Sequence, residues 1–230
     1  MPGKLINCVS LPPATLSFVP IYVFAVANEG FAQMETEEYF TCCGKCICKG
    51  CVHSLRKTGN NEKCPFCNSD QVGKTDEEMV EEILKRVEAN DAIGMGMLGS
   101  YYCHGYLGLQ QDHNKAIELW TQAADLGSKK AHISLYDVYE YSDLGDKRKA
   151  KFHLEAAAMA GHEGARNDIG HLEFLQFNNT DRAIKHWIIA ASAGSYLAVH
   201  NLLVALKEGR VSRETIDPTL TAYNTSCGEM

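Results

Sequence analysis

The sequence predicts a mainly α-helical fold, in which a solenoid of stacked helix pairs follows a small cysteine-rich module. Three observations support this prediction. A pattern of small and large residues recurs at spacings of 34 and 33 residues from about position 91 onward. Seven of the ten cysteines lie between Cys42 and Cys67. Residues 76–90 have the acidic start, the late basic residues and the four-residue apolar spacing of an amphipathic helix.

The repeat is visible in three short motifs. The first half of each unit carries an equivalent residue pair: Leu98-Gly99, Leu135-Tyr136, Ile169-Gly170 and, opening a fourth unit, Leu202-Leu203. The second half begins with a basic residue and an alanine: Lys115-Ala116, Lys149-Ala150 and Arg182-Ala183. It ends at a glycine: Gly127, Gly161 and Gly194. Each unit therefore reads as two helices with a glycine stop.

Residue size explains why such units must stack. Alanine and glycine at fixed positions let two helices cross closely, whereas one pair alone cannot bury its apolar face. Larger side chains are expected to fill the spaces between pairs, namely Tyr101, Trp120, Tyr139, Phe152 and Trp187. The glycines that close each unit are expected to adopt a left-handed conformation.

These motifs resemble the Sel-one-like repeats, which are relatives of tetratricopeptide repeats. The first unit keeps the pattern well, at Leu98-Gly99, Tyr102, Gly105, Asp112, Lys115-Ala116, Trp120, Ala123-Ala124 and Gly127. The second unit departs from it at Tyr136, where glycine is usual. The resemblance implies a right-handed α–α solenoid over residues 91–209, with three full units and a partial fourth. It also implies a role as an adaptor that binds protein partners through the helical repeats.

The cysteine segment predicts a zinc-binding module. Cys48 and Cys51 form one C-x-x-C pair, and Cys64 and Cys67 form a second. A turn of this spacing lets two thiolates reach one ion, and zinc prefers four such ligands at tetrahedral corners. The segment is rich in Gly, Lys and Asn, so we expect turns and little regular structure.

The arrangement resembles a RING finger, in which four ligand pairs hold two zinc ions in a cross-brace. The resemblance implies that Cys48/Cys51 are the third pair and that Cys42, Cys43, Cys64 and Cys67 hold the second ion, with Cys46 as the alternative to Cys42. The first ion is incompletely supplied, because upstream only Cys8 is available and Leu5 stands at its partner position. That site could hold three thiolates, recruit Cys46 or His53, or be empty.

Two functions follow from this combination. In the first, the RING-like module binds a ubiquitin-conjugating enzyme, through Ile6 and Pro65, and the repeats recruit the substrate. In the second, the chain is a non-catalytic adaptor with a structural zinc module. Neither function uses a catalytic residue of this chain. A departure from active ligases is Asn68, which stands where a cation often bridges to ubiquitin.

Composition and motifs limit the classes of binding partner and the cellular location that we expect. The formal net charge of −7 argues against sequence-independent nucleic-acid binding, which needs an excess of Lys and Arg. No motif for a small-molecule substrate or a phosphate is evident. Crowded thiols favour a reducing compartment, so we expect a cytoplasmic protein. The uncharged segment 16–27 leaves secretory entry open as the alternative.

These features divide the chain into five parts. They are an irregular apolar segment at 1–35, the RING-like zinc module at 36–72, a connecting helix at 73–90, the repeats at 91–209, and a C-terminal cap and tail at 210–230.

Overall fold

The fold is described from a computed structural model of the 230-residue chain. The structure describes residues 37–57, 59, 62–141 and 145–228. The predictions for residues 1–35, including Cys8 and Ile6, lie outside these residues. The chain divides into two compact units, Met1–Gly145 and Asp146–Met230, which are described in turn.

The first unit begins with a small hairpin and a helix. Strand β1 (Glu37–Phe40) pairs antiparallel with β2 (Lys45–Cys48), with Phe40 opposite Lys45. Helix α1 (Lys49–Lys57) follows directly. The cysteine segment therefore contains more regular structure than its turn-rich composition suggests. Gly44 closes the turn between the two strands with a φ of 70°.

Helix α2 (Asp76–Glu88) confirms the helix predicted from position 76. Thr75 and Glu78 form a reciprocal capping box, because the Glu78 N–H donates to the Thr75 hydroxyl and the Thr75 N–H donates to the Glu78 carboxylate. The helix ends two residues before the predicted Asn90, which adopts a left-handed φ of 56°. Ile83 is fully buried on the inner face.

Paired helices follow, and they begin and end at corresponding positions of the sequence repeats. They are α3 (Ala92–His104), α4 (His113–Asp125) and α5 (Lys129–Tyr141) in the first unit. In the second unit they are α6 (Lys147–Met159), α7 (Glu163–Leu175), α8 (Thr180–Ser192), α9 (Tyr196–Lys207) and α10 (Arg213–Gly228). The three closing glycines have positive φ values of 86°, 82° and 96°, as predicted.

The core of the first unit depends on a close contact between a glycine and a tryptophan. Trp120 is 4% exposed and donates its indole N–H to the Gly96 carbonyl oxygen at 3.1 Å. A Cβ at Gly99 would lie 2.7 Å from the Trp120 Nε1 atom. A residue larger than glycine would contact Trp120 too closely, which explains why this sequence repeat has glycine at position 99.

The second unit repeats this contact. Trp187 is 3% exposed, and a Cβ at Gly170 would lie 2.5 Å from its Nε1 atom. Ile216 of α10 is fully buried in the same core. The prediction that Phe152 fills an interior space is wrong, because this side chain is 62% exposed. On α6 the inward positions belong to alanines and Leu154, and Phe152 lies on another face of the helix.

Among the described residues, none of the helices combines the length and the apolar character that a membrane span requires.

Candidate metal centre

Four cysteine sulfurs meet at one point of the first unit. The Sγ atoms of Cys42, Cys43, Cys64 and Cys67 all lie within 4.8 Å of one another. Cys43 and Cys64 are 3.7 Å apart, and Cys42 and Cys67 are 3.4 Å apart. These separations exceed the bond length of about 2.05 Å in a disulfide. The sulfurs are therefore free thiols arranged as a cluster.

Two turns position these sulfurs. Cys42 and Cys43 lie in the hairpin turn, where the Cys43 and Gly44 N–H groups donate to the Phe40 carbonyl. Cys64 and Cys67 lie in a second turn that is closed by the Asn68 N–H donating to the Cys64 carbonyl at 2.9 Å. Asn68 adopts a left-handed φ of 62°, which reverses the chain after the last ligand.

The donor set fits zinc. Four thiolates at about 2.3 Å from a tetrahedral ion would be separated by about 3.8 Å from one another. The observed separations need to change by only a few tenths of an ångström in the Cys43–Cys64 and Cys42–Cys67 pairs. Sulfur ligands in a tetrahedral arrangement favour zinc or an iron–sulfur centre over calcium or magnesium, which prefer oxygen.

Local hydrogen bonds and burial set the pKa values of the four cysteine thiols in the cluster. The Ser69 hydroxyl and backbone lower the pKa of Cys67 to about 6. Burial raises the pKa of Cys64, Cys42 and Cys43. One thiol is therefore readily ionised, whereas the others keep their protons until a cation replaces them.

The third cysteine pair stands apart from this cluster. Cys48 ends β2 and Cys51 lies in the first turn of α1; both are exposed, and their sulfurs are 3.3 Å apart. The Cys51 N–H donates to the Cys48 sulfur at 3.4 Å and lowers the pKa of that thiol. This pair offers two of the four ligands that zinc requires.

The other predicted ligands are placed as follows. Cys46 lies on β2, and the four-sulfur group does not include it. His53 is exposed on α1. Cys8 lies outside the described residues. The structure thus brings together four of the eight predicted ligands and sets two more side by side.

Sequence reasoning missed the polar groups around the cluster. The Ser69 hydroxyl lies 3.2 Å from the Cys67 sulfur, and the Gln71 amide donates to the Cys42 sulfur at 3.5 Å. Such outer contacts orient ligands and soften their charge. The signal for Ser69 was its position two residues after the last cysteine of a C-x-x-C pair.

The hairpin is tied to the helices by a second set of polar contacts. The Tyr39 hydroxyl donates to the Asp91 carboxylate at 2.6 Å, and the same carboxylate caps α3 by accepting the Ile93 N–H. Burial and the nearby Asp91 carboxylate raise the pKa of Tyr39, so the phenol remains a donor.

Glu82 of α2 makes the second link. It accepts hydrogen bonds from the Thr41 hydroxyl at 2.7 Å and from the Lys74 ammonium at 2.8 Å. Burial alone would raise the pKa of Glu82, but these two partners lower it. The cysteine cluster is therefore fixed to α2 and α3 rather than attached by a loose tether.

The helical part of the chain is similar to known proteins. A family model described as Sel1 repeat matches residues 92–128, 137–162 and 174–195. The chain contains Sel1 repeats. The matched residues begin at α3 and end just after α8, so the Sel1 assignment confirms the repeat prediction and leaves the cysteine segment outside it.

Solved structures give the same result for the fold. A Sel1 repeat protein from Oxalobacter formigenes is 21% identical, with a TM-score of 0.57, over 76% of this chain and 70% of that chain. A protective antigen of uropathogenic Escherichia coli with the SLR fold is 18% identical, with a TM-score of 0.50, over 78% of this chain and 40% of that chain. No curated protein matches the chain significantly. The Sel1 repeats thus make this a mainly helical protein of the solenoid type.

Proposed function

We propose that this chain is a zinc-binding protein-interaction scaffold. In this proposal a zinc ion gives the cysteine module its shape, and the Sel1 repeats bind a protein partner. The observation that carries the proposal is the joint presence of a four-sulfur cluster and Sel1 repeats in one chain. Sel1-repeat proteins mediate protein–protein interactions, which supports the second half.

A structural role for zinc follows from how little else holds the module. Between residues 37 and 72, the described side chains that are buried and apolar are Phe40, Val52 and Cys64. So small a core cannot offset the entropy of ordering the segment. When bound, zinc would act as a crosslink between the two turns, held by Cys42, Cys43, Cys64 and Cys67.

A ubiquitin ligase is the second candidate, and one observation favours it. The first two cysteines of the segment meet Cys64 and Cys67 and skip the intervening pair, Cys48 and Cys51. Skipped pairing is the arrangement expected of a cross-brace, whereas a simple zinc ribbon would join neighbouring pairs. Phe66, which follows Pro65, is 41% exposed beside the cluster and offers apolar contact area to a conjugating enzyme.

The two candidates separate in a ubiquitin assay. The full chain is incubated with ubiquitin, its activating enzyme and a panel of conjugating enzymes, and compared with Cys64→Ser and with Cys46→Ser as a matched control. Ubiquitin chains that need Cys64 but not Cys46 support the ligase. Absence of Cys64-dependent chains with every enzyme leaves the scaffold as the function.

The scaffold itself is tested by photo-crosslinking in cells. A photoreactive amino acid replaces Leu203 on α9, which is 45% exposed, or Val72 beside the module, which is 58% exposed. We expect discrete protein adducts at Leu203 that persist in the Cys64→Ser background. If neither position yields an adduct above a non-irradiated control, the scaffold proposal is wrong.

A cytoplasmic location is part of the proposal. Exposed, closely spaced thiols such as Cys48 and Cys51 would oxidise in a secretory compartment. Reduction of both cysteines in freshly lysed, alkylated cells would support this location, and their disulfide would contradict it.

A further inference from the structure

The second unit contains a carboxylate that the fold leaves almost without compensation. Asp168 lies on α7 and is closely surrounded by protein, although its side chain still reaches solvent. In the described part of the chain its one hydrogen bond is a long one, from the Asn167 amide at 3.3 Å. Burial raises the pKa of Asp168 to about 6, so at neutral pH most molecules carry the charge at a cost.

Neighbouring polar groups orient this carboxylate without neutralising it. The Asn201 amide of α9 donates to the Asn167 Oδ1 atom at 2.9 Å and lies 3.0 Å from the His171 Nε2 atom. Because Asn167 accepts from Asn201, its own amide hydrogens remain available for Asp168. Asn167 and Asn201 are 2% and 5% exposed, so the arrangement is built into the packing of the two helices.

Three basic side chains of α7 and α8 do not compensate the charge of Asp168, namely His171, Arg166 and Arg182. Burial lowers the pKa of His171, which therefore stays neutral at physiological pH. The Arg166 guanidinium donates to the Ala158 carbonyl at 2.8 Å, and Arg182 forms an ion pair with Glu173 at 3.0 Å.

The repeat does not require an acidic residue at this place. In the four sequence repeats, the equivalent apolar residues are Leu98, Leu135, Ile169 and Leu202. The residues directly before them are Met97, Ser134, Asp168 and Asn201. The other three repeats have an uncharged residue at this position, so a carboxylate is not required for a helix pair to fold. A desolvated acid beside oriented amides is a candidate binding site.

We propose that Asp168, positioned by Asn167, Asn201 and His171, binds a lysine or arginine side chain of the protein partner. The proposal rests on the proposed function of the repeats in protein binding and names one feature of the partner. A cationic side chain would supply the missing charge and accept the orientation that the two asparagines impose. The overall negative charge of the chain favours the approach of such a segment.

Peptide libraries test this proposal. The immobilised full chain is offered four seven-residue libraries with random flanks and a fixed central Lys, Arg, Gln or Glu. We expect the Lys or Arg library to be retained about ten-fold more than the Gln library, since hydrogen bonds to a charged partner contribute at least this ratio. The Glu library should be retained least.

Two variants complete the test. Asp168→Asn removes the charge with little change of shape and should reduce the ten-fold preference to about one-fold. Asp181→Asn, which removes an exposed carboxylate from the first turn of α8, should keep the preference. Circular dichroism of both variants establishes that each remains folded. A wild-type chain with no preference for the basic libraries, or an Asp168→Asn chain that keeps it, overturns the proposal.

Failure here is distinguishable from failure of the scaffold. Adducts at Leu203 without any basic preference in the libraries would mean that the repeats bind protein by another surface. Absence of both would overturn the two proposals together.

Discussion

The cysteine module and the Sel1 repeats maintain their shapes by different means. In the repeats, small residues let helices approach and large ones fill the remaining space, as Gly99 and Trp120 do. In the module, few apolar side chains are buried, and four thiols converge instead. The repeats depend on the close packing of side chains, whereas the module depends on metal binding by thiolates. Substitutions that change side-chain volume should therefore affect the repeats, and metal removal should affect the module.

The two regions nevertheless share an interface within the first unit. Tyr39 and Thr41 of the hairpin donate hydrogen bonds to Asp91 and Glu82 of the helical part. Disorder in the module should therefore reach α2 and the start of α3. The two hydrogen bonds named here do not reach the core around Trp120, which should therefore keep its structure.

The largest expected effect is on the module after metal removal. A strong chelator, or Cys64→Ser, should unfold residues 37–72, because a structural zinc contributes on the order of 10 kcal/mol. Hydrogen exchange measured by mass spectrometry should show fast exchange in β1, β2 and α1 while α7 to α9 keep their protection. Protection of the hairpin that survives chelation would show that packing, not metal, holds the module.

A smaller effect is expected for one methyl group in the repeats. Gly99→Ala places a Cβ against Trp120 and should lower the free energy of unfolding by about 1–3 kcal/mol. The matched control is Gly96→Ala on the same helix, where a Cβ has open space and alanine should stabilise by about 0.5–1 kcal/mol. Thermal unfolding of both variants measures the difference. Equal effects of the two would contradict the close contact.

Replacing the Asp168 carboxylate, which is closely surrounded by protein, should increase the free energy of unfolding by an amount that depends on pH. Its folded pKa of about 6 lies above the ordinary value of 3.8, so the folded state holds the proton more tightly and loses stability as pH rises from 3.8 through 6. Asp168→Asn should therefore stabilise the second unit by about 1–3 kcal/mol at pH 7.5 and by little at pH 4. Denaturant unfolding at the two pH values measures this. A stabilisation independent of pH would have another cause.

The smallest effect is expected at the interface between hairpin and helices. Tyr39→Phe removes the hydroxyl that donates to Asp91 and should cost about 1 kcal/mol, because Asp91 keeps its capping bond to Ile93. Hydrogen exchange of the zinc-loaded chain should rise in β1 and β2 only. Unchanged exchange would mean that the ion alone positions the hairpin.

The repeats could be predicted from the sequence because their packing is local and periodic. Alanine, glycine and tryptophan recur at positions fixed by the helical period, and the closing glycines adopt the expected left-handed conformation. Phe152 shows where this reasoning failed. A large apolar side chain suggests burial, but its helix already presents Leu154 and small residues inward, so Phe152 is left on an exposed face.

The candidate sites were predictable only in part. Spacing identifies C-x-x-C pairs, because both ligands of a pair share one turn, but it does not reveal supporting groups such as Gln71. The link between Tyr39 and Asp91 spans 52 residues and depends on tertiary structure. Asp168 looks like any solvated acid in the sequence, since its charge becomes costly only when the folded chain surrounds it.

Native mass spectrometry of the full chain, purified under reducing conditions, tests the central claim most directly. We predict at least one zinc ion per wild-type chain, the same content in Cys46→Ser, and one ion fewer in Cys64→Ser. A wild-type chain that carries no metal, or a Cys64→Ser chain that keeps its full zinc content, would contradict the claim that these four sulfurs hold the ion.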